Sequence, residues 1–308
     1  MSGACTREAP RRVRLPALSG KRFTVCTLCD IIRNMREITP GKISSALAEA
    51  IDYALKHVDA DVVQLLRECR KYESGAAAWA IDTIIANDEL AAEKDCYACQ
   101  DTGVAMIFAD VGEDVRVRGL EDAINEGVRR GYRDARKSIA HPLSRINTGD
   151  NTPAVIHTRI VSGDRLTIGY LAKGAGSENM CRVYMLPPSA GRRGIIDSVV
   201  DCVTRAGANP CPPVILGIGI GGTMDAAAVA GKRALLRKAG APSDDKDTAR
   251  LESEILRAVN ATGIGAQGFG GKTTALYAAI ETVPTHIGML PVAVTVQCHS
   301  ARHASITL

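Results

Sequence analysis

The chain has 308 residues, 46% of them hydrophobic and 23% charged, a composition that excludes a disordered chain and supports a sizeable core. Thirty-eight basic against 34 acidic residues leave a net charge of +4, too balanced to mark a nucleic-acid binder, and 4% aromatics offer few base-stacking platforms. No apolar run reaches the ~18 residues of a membrane span, so a soluble chain with no membrane partner is expected.

Residues 1–24 carry Arg7, Arg11, Arg12, Arg14, Lys21 and Arg22 with a single acid, and read as a flexible basic tail. Serine is sparse there and amphipathicity poor for an organellar targeting segment. Residues 25–308 read as one folding unit, with no internal repeat and no low-complexity linker. Its fold class is α/β, mixed α+β: a helical N-terminal part, then short strands and helices with glycine-rich loops.

In chain order, 25–90 is predicted helical, from apolar residues at helical spacing in 43–58 and in the two segments that follow. GVAMIFADVG (103–112) reads as a strand, and LEDAINEGVRRGYRDARKSI (120–139) as an amphipathic helix. AVIHTRIV, RLTIGYLA and CRVYML are short strands. GIIDSVVDCVTRAG is a helix, and PPVILGIGIG a buried strand entering a glycine turn. DAAAVAGKRALLRKAG and SDDKDTARLESEILRAVNATG are helices with glycine stops. KTTALYAAIETV is predicted to be a helix and LPVAVTVQ a final strand.

Glycine is concentrated late: 20 of 29 lie between 149 and 288, at the ends of predicted elements. Such loops suit a site built on a rigid scaffold. Two of them resemble nucleotide motifs. Gly217, Gly219 and Gly222 satisfy GxGxxG, but no acid ends a second strand about 20 residues on, so NAD binding is not expected. GGKTT (270–274) has Ala266 where a phosphate loop needs its first glycine, which removes a Walker-type site.

The ten cysteines stand at 5, 26, 29, 69, 96, 99, 181, 202, 211 and 298, without the spacing of a secreted disulfide scaffold and with no apolar signal-peptide core. They point to a reducing, cytoplasmic setting with some thiolates serving metal or catalysis. Cys26–Cys29 and Cys96–Cys99 are CxxC pairs about 70 residues apart, too far for a zinc ribbon. Cys69, Cys181 and Cys202 fall inside elements. Cys99, Cys211 and Cys298 each border an element beside polar groups, in CQDTG, NPCPP and QCHSARH.

The segments CQDTGVAMIF, NTGDNTPAVIH, AKGAGSENM, NPCPPVILGIGIGGT, KRALLR, NATGIGAQGFGGKTTAL and PTHIGMLPVAVTVQCHSARHA run in order over about 30–304. Together they resemble the alpha subunit, or N-terminal region, of class I iron–sulfur fumarate hydratases. The resemblance implies that Cys99, Cys211 and Cys298 hold a [4Fe-4S] cluster with one iron open as a Lewis acid. It also implies Asp101 and His286 as catalytic groups, and Gln100, Arg136, Gly174, Ala175 and Gly176 as substrate contacts. The implied reaction is hydration of fumarate to (S)-malate. Relatives acting on L-tartrate are the alternative, set second because they look different at the SEN and GGT segments. A non-catalytic metal or redox protein is the third reading. Because the single-chain members carry a further domain that is absent here, a separate beta subunit is expected, in a dimer of alpha–beta pairs. His299 and His303 read as structural groups, and Lys173 with Glu178 as a surface pair or an open role.

Overall fold

The computed structural model describes residues 35–308. The expected basic tail, the start of the predicted helical region, and Cys5, Cys26 and Cys29 lie outside the described residues. The class is mixed α/β, as the sequence predicts.

The helical N-terminal part comprises α1 (Pro40–Lys56), α2 (Ala60–Arg70) and α3 (Gly75–Glu93). Thr39 caps α1 through the Lys42 amide, and Pro40 takes the first helical position, where its missing N–H costs nothing. Ile43, Leu47, Ile51 and Leu55 form one four-spaced stripe, fully buried. That stripe packs with α4 (Leu120–Gly131) against the first large sheet. A short strand β1 (Arg36–Ile38) pairs in parallel with β3 (Val115–Val117).

The first large sheet contains β2 (Val104–Gly112), β4 (Val155–Val161), β5 (Leu166–Lys173) and β10 (His303–Thr307), in the order β10-β5-β2-β4. The second contains β6 (Arg182–Leu186), β7 (Val214–Gly221), β8 (Ala275–Val283) and β9 (Leu290–Gln297), in the order β6-β9-β7-β8. Both use the same connectivity: a strand, a helical crossover, a parallel strand, then an antiparallel return. In the first sheet this is β2-α4-β4-β5. In the second it is β7, α7 (Met224–Ala234), α8 (Lys246–Asn260), β8 and β9. Each sheet then receives its fourth strand from the chain leaving the other, since β6 follows β5 but pairs with β9, and β10 follows β9 but pairs with β5. The sequence carries no detectable repeat, yet the topology repeats.

Helix α7 lies between the two sheets, α8 and α6 (Gly191–Ala206) cover the outer face of the second, and the one-turn α5 (Ala175–Glu178) follows β5. The GxGxxG match is explained here. A Cβ at Gly217 would sit 2.1 Å from the Gly231 carbonyl oxygen, and one at Gly219 would sit 1.9 Å from that of Ala227. These glycines let α7 lie directly on β7, which is a packing role and not a dinucleotide loop. On its other side α7 reaches the first sheet. Arg233 makes a two-pronged pair with Asp110 at 2.9 and 3.1 Å and lies 5.0 Å from the Phe108 ring centroid. Burial opposes ionisation of Asp110, but the Arg233 and Arg159 bonds hold it below the usual carboxylate range.

Four predicted elements differ. Arg36–Ile38, inside the stretch predicted helical, forms strand β1, drawn out by its pairing with β3. KTTALYAAIETV forms strand β8, not a helix. Tyr277 and Ala279 face one core while Ala278 and Ile280 face another, so burial on both faces erases the alternation that marks a strand. The helix predicted over 120–139 stops at Gly131: Tyr132 leaves helical geometry at φ −95°, ψ 11°, and the Lys137 ammonium caps the freed carbonyls of Tyr132 and Arg133. Helix α7 stops at Ala234, short of the predicted glycine stop at Gly240.

Candidate active site

Strand register brings the predicted cysteines together. Cys99 precedes β2, whose first residue Val104 pairs with Lys173 at the end of β5. Cys211 precedes β7, where Ile215 pairs with Gln297 at the end of β9, and Cys298 follows directly. The two sheet ends meet, and all three cysteines with Gln100 line one cavity of about 500 Å³. All three are free thiols.

Cys211 has φ +54°, a left-handed conformation that costs a non-glycine residue about 1 kcal/mol. The turn is clamped by the glycine-rich loop: the Gln267 backbone and side-chain N–H groups both donate to the Pro212 carbonyl, at 2.8 and 3.0 Å. Burial pushes the Cys211 thiol up, with Cys99 adding to it. Burial pushes Cys298 up to about 11, against the pull of Arg302. Thiols crowded in this way ionise when a cation sits between them.

Among the described residues no three His, Cys, Asp or Glu side chains converge tightly enough for a single metal ion. Thiols spread around a cavity suit a multi-iron cluster, in which each sulfur binds a different iron. The polar surroundings fit as well. Gln297 (both amide atoms), His299 Nδ1, Ser300 Oγ, Arg302 Nη1 and Asp88 Oδ2 are buried without partners. Apart from the Tyr277 hydroxyl, these are the buried side-chain atoms left unpaired among the described residues, and four of the five residues lie within four positions of Cys298.

Asp101 bridges the two loops of the first sheet. Its Oδ1 accepts from the Gly103 amide at 2.9 Å and its Oδ2 from the Ala175 amide at 2.7 Å. Gly103, at φ +73° with Lys173 backbone 3.0 Å from where a Cβ would stand, allows that approach. The Ala175 amide expected to meet substrate is therefore held by Asp101. Gly174 lies beside that carboxylate, and Gly176 faces the Asn209 carbonyl of the Cys211 loop. Arg136 is exposed, and its carbonyl accepts from Thr102 Oγ1 at 2.8 Å and Asn151 Nδ2 at 2.9 Å, next to the CQD segment.

His286 is placed elsewhere. It sits between β8 and β9, at the opposite end of the eight-residue strand that leads to Cys298. At about 3.4 Å per residue, that is roughly 25 Å away. It lines a separate cavity of about 390 Å³ with Arg192 and Leu251, and its Nδ1 accepts from the Gly288 amide at 3.0 Å. Among the described residues nothing joins it to the cysteines.

Several residues at the cavity escaped the sequence reading. His299, read as structural, lines it, and burial followed by the Arg302 charge pulls its pKa down to about 4, leaving it neutral at pH 7. Asn87 of α3 also lines it and donates to the Ala98 carbonyl at 3.0 Å, fixing the approach to Cys99. No motif in the sequence singles out Asn87. Lys173 is not on the surface: it is 1% exposed, bonded to Ser177 Oγ at 2.7 Å and 3.4 Å from Glu178, which also binds Lys232 of α7. GGKTT also has an internal partner, since the Lys272 amide donates to Glu73 at 2.8 Å.

Comparison with known proteins defines the class. The fumarate hydratase (Fumerase) family matches residues 44–307, and the chain belongs to that family of iron–sulfur hydro-lyase alpha subunits. Among its curated relatives, a Methanocaldococcus jannaschii protein provisionally named L(+)-tartrate dehydratase subunit alpha is 39% identical, over 85% of this chain and 96% of its own length. L(+)-tartrate dehydratase subunit alpha of Escherichia coli K12 is 30% identical, over 80% of this chain and 84% of its own. Among the described residues no helix is long and apolar enough to cross a membrane.

Proposed function

We propose that the chain is the alpha subunit of a hydro-lyase acting on a hydroxy-dicarboxylate, with L(+)-tartrate as its leading substrate. The observation that carries the reading is one cavity lined by Cys99, Cys211, Cys298 and Gln100, assembled from the ends of both sheets. The names of the relatives favour tartrate over the fumarate–malate pair expected from the sequence, which becomes the second reading.

Cys99, Cys211 and Cys298 would hold a [4Fe-4S] cluster. When bound, it supplies an iron without a protein ligand, a Lewis acid for the departing hydroxyl. The chain's own residues prepare the rest. Gln100 offers an amide donor at the cavity. Asp101, bonded to two backbone amides, holds the 174–176 loop against the CQD segment, which makes it a positioning group in this arrangement. Arg136 offers a guanidinium suited to a carboxylate. Further cations are needed for a dianion, and a beta subunit is the expected source, as the name "subunit alpha" implies for the relatives.

The test is co-expression with a beta-type subunit, anaerobic loading with iron and sulfide, and assay of L-tartrate, malate and fumarate. Faster turnover of tartrate supports the reading. Turnover of malate and fumarate alone moves the assignment to fumarate hydratase. Stoichiometric zinc without iron sinks both.

A further inference from the structure

Behind Cys298 stands a cation that the proposed reaction does not use. Arg302 is 1% exposed and is the largest fully buried side chain of the described residues. Its Nε donates to the Ser300 carbonyl at 3.4 Å, the same oxygen that accepts from Cys298 Sγ at 3.8 Å. Its own carbonyl accepts from the Ala172 amide at 3.0 Å, which ties this turn to β5 just before the Gly174 loop. Yet Nη1 has no partner, and no carboxylate among the described residues lies within ion-pair distance of the guanidinium. A guanidinium stays protonated in any protein setting, so an anion must balance it. Two anions are at hand. One is the buried carboxylate of Asp88 on α3, whose Oδ2 also lacks a partner. The other is the thiolate set at the cavity.

We propose that Arg302 is a positioning residue that holds the Cys298 turn and supplies the fixed positive charge balancing the anionic thiolate–cluster centre, with Asp88 as the competing counter-charge. The inference rests on the functional reading above and adds the pair that tunes the bound group. A cluster gains negative charge on reduction, so a nearby cation favours the reduced form and a nearby anion the oxidised form. The two residues therefore act in opposite directions, which a general loss of packing does not imitate.

The test uses the full chain, loaded anaerobically with iron and sulfide at pH 8, with iron per chain and the cluster midpoint potential read by a redox titration. Arg302→Met is expected to lower the potential and to lose iron faster in air, Arg302→Lys to recover most of the wild-type potential, and Asp88→Asn to raise it. If Arg302→Met does not fold, Arg302→Lys and Asp88→Asn carry the comparison. Equal potentials for the wild type and Asp88→Asn, or shifts of the same sign for Arg302→Met and Asp88→Asn, overturn the inference while leaving the functional reading intact. A wild-type chain that takes up no iron sinks the functional reading, and this inference with it.

Discussion

The two large sheets have the same connectivity but end in different chemistry. At the cavity end each begins a central strand just after a cysteine, Cys99 before β2 and Cys211 before β7. The returning strands diverge. β5 ends in buried Lys173 and the Gly174–Gly176 loop, while β9 ends in Gln297 and Cys298. One sheet thus ends in a polar glycine loop, and the other in a third thiol backed by Arg302. Exchange of the fourth strands, β6 and β10, ties the two halves together through backbone pairing. Four loops far apart in sequence converge because equivalent strand ends converge.

The largest expected effect breaks the cysteine half of that comparison. Cys99→Ser, Cys211→Ser and Cys298→Ser should each abolish cluster retention, measured as iron per chain after anaerobic loading. Cys26→Ser, Cys29→Ser and the exposed Cys96→Ser should retain iron. Iron loss in Cys96→Ser together with retention in Cys211→Ser would overturn the ligand set.

Next comes the way α7 and the turn that follows it, Leu235 and Leu236, grip each sheet. Gly219→Ala drives a Cβ into backbone and should cost about 3 kcal/mol by urea unfolding. Gly169→Ala meets the end of the Leu236 side chain, which can shift, so about 1 kcal/mol is expected. Equal costs would mean that α7 with its following turn is not seated more tightly on the second sheet. Replacing Arg233 with Met removes the Asp110 pair and leaves a half-buried carboxylate, at a cost of about 2 kcal/mol.

The smallest effect is local to the first sheet. Bonds from Thr152, then from Arg129, outweigh burial and bring Asp150 down to about 2. Its folded pKa lies below the unfolded value of about 4, so its contribution is complete above pH 4 and is lost as pH falls through 2. Asp150→Asn should therefore lower the melting temperature at pH 7 by a few degrees, and the gap to wild type should close on acidification. A gap that persists at pH 2 would assign the effect to packing.

Much of the fold was legible where one face of an element is buried. The stripe of Ile43, Leu47, Ile51 and Leu55 marks α1 at helical spacing, and the glycine loops sit at element ends as read. Legibility failed where burial is two-sided, as in β8, and where a later side chain caps a helix early, as Lys137 does on the Tyr132 and Arg133 carbonyls. At the site, the resemblance marked the cysteines, which the fold does bring to one cavity. It marked His286 equally, and the fold sets that residue at the far end of β9. Lys173, His299, Asp88 and Arg302 had no signature, because a charged residue beside a motif looks the same in sequence whether it ends buried or in water.

The sequence by itself determined most of the element types, though not that of β8, and the family. Tertiary structure alone decided that two sheets share one topology, exchange strands and join their ends around the three thiols. The reason is that side-chain periodicity records which face of an element is buried, a local property. Which strand ends become neighbours depends on pairings between residues more than 100 positions apart, such as Tyr170 with Ala304 across β5 and β10.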